Sequence, residues 1–215
     1  MTKLPLISSP LSEAWPSWLM LGLLLCMIMA EVLQPETIRT SFRTTFSHMQ
    51  RMFGDSAVNF WGAVALTIYR VCIIALTLYL ACYEKGTFSL LTYGWIILIV
   101  IAFVAIKSLC AWLVSYTFDL KRDTALYMPQ YSNLWTALCI VLYPVLLITI
   151  NIGHNSIIRW IILAIVALFC IDVIIKLVQH FYNGLQSLGY IALYTLTLEI
   201  IPAAAMFIGV KQLAQ

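Results

Sequence analysis

The chain has 215 residues, 63% of them hydrophobic and only 10% charged, with a mean hydropathy of +0.97. A soluble domain carries about 25% charged residues, so this composition excludes an ordinary soluble enzyme and requires burial in lipid. The formal charge of +3 is too small and too dispersed for nucleic-acid binding.

The first apolar run follows Trp15 and covers about 16–33. Lys3 is the only basic residue ahead of it, and no A-x-A cleavage pattern follows, so it is expected to stay as a transmembrane helix. Gln34-Pro35 ends it. From 35 to 53, Ile38, Phe42, Phe46, Met49 and Phe53 recur at helical spacing, while Arg39, Arg43 and Arg51 fall largely off that stripe. Pro35 suits a helix start. The segment predicts an amphipathic interfacial helix with its arginines toward anionic headgroups, or a helix packed on the protein's own inner face.

Further spans are expected at about 59–82, 93–118, 134–152, 157–178 and 188–210, each close to the ~20 residues a bilayer requires. The joints carry breakers or charges: Glu84-Lys85-Gly86, Asp119 to Asp123, Asn151-Ile152-Gly153 and Asn183-Gly184. Pro144 interrupts the fourth span, and the short connection to the fifth predicts a tight hairpin. Aromatics such as Trp18, Trp95, Tyr131, Trp135 and Trp160 cluster near span ends, as an interfacial belt does. The expected fold is therefore an all-α polytopic membrane bundle, a single integral membrane domain over 1–215, with about six transmembrane helices plus one interfacial helix. Arg39, Arg43, Arg51, Lys121, Arg122 and Lys176 would share one side, against Lys3, Lys85, Arg159 and Lys211 on the other. The positive-inside rule then puts both termini outside.

Six ionisable residues fall inside or at the ends of the apolar runs: Glu31, Arg70, Lys107, Asp172, Lys176 and Glu199. Charge in a bilayer core is expensive, so such residues normally face a protein interior. Counted at ~1.5 Å per residue from the inner ends of their spans, Arg70, Lys107 and Glu199 each lie roughly 16 Å deep, about mid-bilayer. Asp172 and Lys176 are four apart and can pair on one helix face. Equal depth on three helices predicts a shared charged centre. It could fix helix register, bind a substrate or proton, or meet a partner's helix.

Other chemistry is thinly represented. The six cysteines stand singly in apolar runs and read as small hydrophobes. His48, His154 and His180 lie in expected loops, so neither haem nor another metal site is expected, and no cofactor is implied. No H-E-x-x-H, G-x-S-x-G or P-loop string occurs. These features point to a non-enzymatic component of an envelope complex, in contact with membrane lipids and other membrane proteins. The alternative is a small transporter or lipid-handling protein that binds an anionic group at the charged centre.

The last third, Tyr190-Ile-Ala-Leu-Tyr194-Thr-Leu-Thr-Leu-Glu199-Ile-Ile-Pro202, resembles the closing signature of a Bacteroidota inner-membrane family known as domain of unknown function 4271. The Pro-rich lead before Trp15, the basic segment after the first span and the Asp172–Lys176 helix are similar as well. The resemblance implies a polytopic inner-membrane protein with Glu199 at the signature acidic position, and it implies no activity.

Overall fold

A computed structural model of the protein describes residues 15–46, 60–82, 90–117, 121–152, 156–181 and 208–209. Among the described residues the chain is helical apart from the turn at 34–36, without strands. The helices are α1 (Trp15–Leu33), α2 (Thr37–Phe46), α3 (Phe60–Cys82), α4 (Leu90–Thr117), α5 (Lys121–Ile152) and α6 (Ser156–Phe181). Five of them, all but α2, are long and apolar enough to cross a bilayer, which makes this a multi-pass membrane protein. Of the sixth expected span, 188–210, only Ile208 and Gly209 are described. A Cβ on Gly209 would lie 4.0 Å from Ile99 Cδ1, beside α4.

The centre of the bundle is α3 with α1 and α5. Half of the Phe60–Cys82 and Met128–Asn151 spans is buried, against 17% of Leu90–Leu113 and 11% of Ile157–Lys176, so α4 and α6 are peripheral. The core is built from Tyr69, Ile73, Leu76 and Tyr79 on α3, with Leu134, Leu138, Leu142 and Leu146 on α5 and Met20 and Leu23 on α1. In lipid this packing gains little from hydrophobic transfer, so dispersion and interhelical hydrogen bonds hold the helices together.

Three tyrosines supply some of those bonds. Tyr69 on α3 donates to the Cys139 carbonyl of α5 at 3.3 Å, Tyr93 on α4 to Cys72 of α3 at 3.1 Å, and Tyr143 on α5 to Met20 of α1 at 3.1 Å. Each hydroxyl thereby satisfies its polar tip while its ring fills the core. The hydroxyls of Thr77, Thr136 and Thr149 instead bond back to carbonyls four residues earlier, which frees them of any need for a partner helix.

Contacts fix the directions of the helices. At one end the Trp15 ring lies 5.7 Å from Tyr93, which meets Tyr79 edge-on at 6.3 Å. At the other end α3 begins against the end of α1: a Cβ on Gly62 would sit 2.8 Å from Gln34 Cγ and 3.3 Å from Leu33 Cβ. Only a residue without a side chain admits so close an approach.

One expectation is corrected, and of two alternatives for the segment after the first span the packed helix is favoured. The fourth span is expected at 134–152 with an interruption at Pro144, yet α5 is one 32-residue helix that passes through Pro129 and Pro144. Each proline removes only its own N–H bond, and a packed membrane helix tolerates that loss. The charges Lys121 to Asp123 therefore lie in the first turn of α5 and not in a loop. The segment expected as an interfacial helix over 35–53 is helical over Thr37–Phe46, and residues 47–53 lie outside the described part. Ser41 is fully buried, with Ile38 and Phe42 half-buried, because α2 packs against α5.

Candidate functional site

Arg70 and Lys107 reach consecutive residues of α5. The Arg70 guanidinium donates through Nη1 to the Ser132 hydroxyl at 2.5 Å and the Ser132 carbonyl at 3.2 Å. Its Nε reaches the Leu66 carbonyl and its Nη2 the Thr67 hydroxyl, both at 3.3 Å. Every one of these acceptors is neutral. Among the described residues no carboxylate pairs with Arg70. Lys107 is buried, with 9% of its surface exposed. Its ammonium group donates to the Tyr131 hydroxyl and lies 4.1 Å from that ring's centroid.

One turn along α5, the Trp135 ring stands edge-on to Tyr131 at 5.9 Å, and its buried indole N–H has no acceptor among the described residues. A buried donor left without a partner costs free energy comparable to a lost hydrogen bond. This stretch of α5 thus gathers positive charge from two neighbouring helices.

The three helices bring these groups to a common register. Arg70, Lys107 and Tyr131 each stand ten residues from Phe60, Thr117 and Lys121, the helix ends on the side of the α1–α2 joint. Ten residues is about 15 Å of helix. Measured against the apolar spans, Arg70 stands ten residues in from Phe60, near the middle of its span, whereas Lys107 is six residues in from Leu113 and Tyr131 three from Met128. Helix α5 stays polar for longer than its sequence neighbours before it enters the apolar zone.

The other expected members part company with this centre. Glu31 does not join it. Both its carboxylate oxygens accept backbone N–H groups, from Glu36 and Ile38 at 3.0 Å each, and so cap the start of α2. Helix N-termini carry unpaired N–H groups and partial positive charge, which a carboxylate satisfies. The turn that allows this has Glu36 at φ 75, with Thr37 donating its hydroxyl to the Gln34 carbonyl at 2.6 Å.

Asp172 and Lys176 pair with each other on α6 at 3.1 Å. The contact is off the line of a hydrogen bond, so the buried Asp172 Oδ2 is charge-paired but lacks an aligned donor. Arg39 is exposed and lies 3.7 Å from Glu36. Arg43 lies on α2 with its side chain outside the described part, and Arg51 and Glu199 lie outside it altogether.

Tyr131 and Ser132, the docking points of the two cations, escape the sequence reading of the charged residues. Tyr131 registers there only as a belt aromatic. A signal for it does exist: Tyr131 and Trp135 are four apart, one polar and aromatic face of one helix. Among the described residues no cluster of His, Cys, Asp and Glu could hold a metal ion.

No curated protein and no solved structure matches the chain. The family described as domain of unknown function 4271 (DUF4271) matches residues 17–210, so nearly the whole chain, including the charged centre and the Glu199 segment, belongs to that family.

Proposed function

We propose that this multi-pass membrane protein is a non-enzymatic component of a bacterial inner-membrane assembly, either a subunit or an assembly factor. The observation that carries this reading is Asp172. It is a charged residue 30% exposed on α6, the least buried of the spanning helices. An Asp within a span costs about 2.5–3.5 kcal/mol on insertion scales, and a covering partner helix removes that exposure. Around it Leu168, Ile171 and Ile175 are exposed and offer an apolar seat.

The hydroxyl and thiol groups of the core also fit a scaffold. Ser132, Thr67 and Tyr131 serve as hydrogen-bond partners of the two cations, and Cys139 Sγ lies 3.9 Å from the Arg70 carbonyl. In this reading the α1–α2 joint faces the cytoplasm, and Arg39, Arg43 and Arg51 lie near anionic headgroups.

The test is gentle solubilisation from the native membrane, with photo-crosslinking residues at 168, 171 and 175. A stoichiometric partner crosslinked from these positions is the expected result. A lone monomer without crosslinks from any of the three would refute the assignment.

A further inference from the structure

We infer that the last segment of the chain docks on α4 and brings Glu199 to Lys107 as its counter-ion. The starting point is a contact outside the charged centre. Ile208 and Gly209 are helical, and a Cβ on Gly209 would lie 4.0 Å from Ile99 Cδ1. The helix that carries them thus runs beside α4, the helix of Lys107.

Its direction follows from the order of the spans. Helices α3 and α5 start on the side of the α1–α2 joint, and α4 ends there. The next crossing, α6, returns the chain to that side at Phe181. Ile99 precedes Thr117 by eighteen residues, which puts Gly209 about 27 Å from the joint side. The chain covers that distance between Phe181 and Gly209, and so runs antiparallel to α4.

An antiparallel pair anchored at one contact has a defined register. Glu199 precedes Gly209 by ten residues, about 15 Å of helix. It therefore reaches the level of the α4 residue ten after Ile99, which is Leu109, two from Lys107. That offset is about 3 Å along the axis, well within the length of a lysine side chain. Pro202 lies between Glu199 and Gly209 and removes one backbone bond, which a packed membrane helix tolerates.

The face of α4 agrees with the level. Ile99, Phe103, Lys107 and Cys110 recur at helical spacing, and all four are buried or half-buried, whereas Ile101, Leu109 and Trp112 on the other faces are exposed. The flank that meets Gly209 is thus the flank that carries Lys107. Charge agrees as well. A carboxylate in an apolar run is expensive unless paired. The Lys107 ammonium has three donors, and the neutral Tyr131 oxygen takes one. A carboxylate at this level offsets the burial of both charges. The charge of Lys107 is then balanced within the chain, and the pair clamps the last segment to α4.

The test has two parts, both on the full chain. A membrane-permeant carbodiimide, which joins a touching amine and carboxyl without a spacer, is applied to native membranes, and the digest is read by mass spectrometry. The expected product links the Lys107 peptide to the Glu199 peptide, and it persists in Arg70→Gln. In detergent, Lys107→Gln and Glu199→Gln should each raise the unfolding equilibrium constant at least tenfold, because each strands one buried charge. The double variant should raise it less than either single. Where a single variant does not fold, the double variant is still expected to do so. Absence of the Lys107–Glu199 link in wild-type membranes overturns the assignment. So does a double variant as damaged as the product of the singles, or coupling of Glu199 to Arg70 in place of Lys107.

Discussion

Replacement of Glu31 by alanine tests the joint between the first membrane helix and α2. The two carboxylate oxygens accept the Glu36 and Ile38 N–H groups at 3.0 Å each. A hydrogen bond to a charged group contributes about 1.5–3 kcal/mol, but the Glu36 bond is exposed and so worth less. Loss of a helix N-cap costs about 0.5–2 kcal/mol. Taken together, about 2 kcal/mol is expected to vanish locally, which is roughly a 30-fold rise in the opening of the first turn of α2. Hydrogen–deuterium exchange followed by mass spectrometry reads this directly. Peptides covering 34–46 should exchange about 30-fold faster in Glu31→Ala, while peptides from the middle of α3 keep their wild-type rate. Glu31→Gln should fall between the two, because it retains one acceptor oxygen and loses the charge that favours the helix N-terminus. Exchange of the 34–46 peptides within about twofold of wild type in the alanine variant would refute the capping role.

Other perturbations address packing and charge. Gly62→Val should lower the melting temperature by the equivalent of about 1–3 kcal/mol, because a Cβ there meets Gln34 and Leu33 at 2.8 and 3.3 Å; an unchanged melt would show that the inner ends of α1 and α3 are looser than described. Tyr143→Phe should cost about 0.6 kcal/mol and at most about 1.7, since the ring remains and only the bond to the Met20 carbonyl is lost; guanidinium or thermal titration in detergent measures it. For the α6 pair, Asp172→Asn and Lys176→Gln should each cost more than the double variant, which leaves no uncompensated charge. A double variant as damaged as the sum of the singles would show that the two side chains do not act on each other.

The sequence is informative where composition and spacing speak for themselves. Apolar runs locate the helices, with α1 and α3 starting within one residue of expectation at Trp15 and Phe60. The cost of charge in lipid singles out Arg70 and Lys107, and helical counting brings them to a common level. What it does not show is what they touch. Ser132 and Tyr131 are short of obvious chemistry, and the charged run Asp119 to Asp123 reads as a joint between spans. The helix nevertheless begins at Lys121, ahead of its apolar span. Glu31 shows the complementary failure. An acid at the end of a membrane helix suggests an ion pair, but its true partners are backbone N–H groups, which carry no residue identity. The fold of a turn such as Gln34-Pro35-Glu36 decides that partnership, and hydropathy is blind to it.

The continuity of α5 has a mechanical consequence. Its first seven residues, Lys121 to Tyr127, precede the apolar span, and α2 packs against the same helix. Ser132 and Tyr131 sit on this one rod, only a few residues inside the span. A push on α2 is therefore carried along the helix to the hydroxyls that hold the two cations, with no loop in between to absorb it. Pro129 is the single missing link in the backbone ladder on that stretch, so bending is cheapest two residues before Tyr131. The molecule has in effect a lever whose soft point adjoins its charged centre.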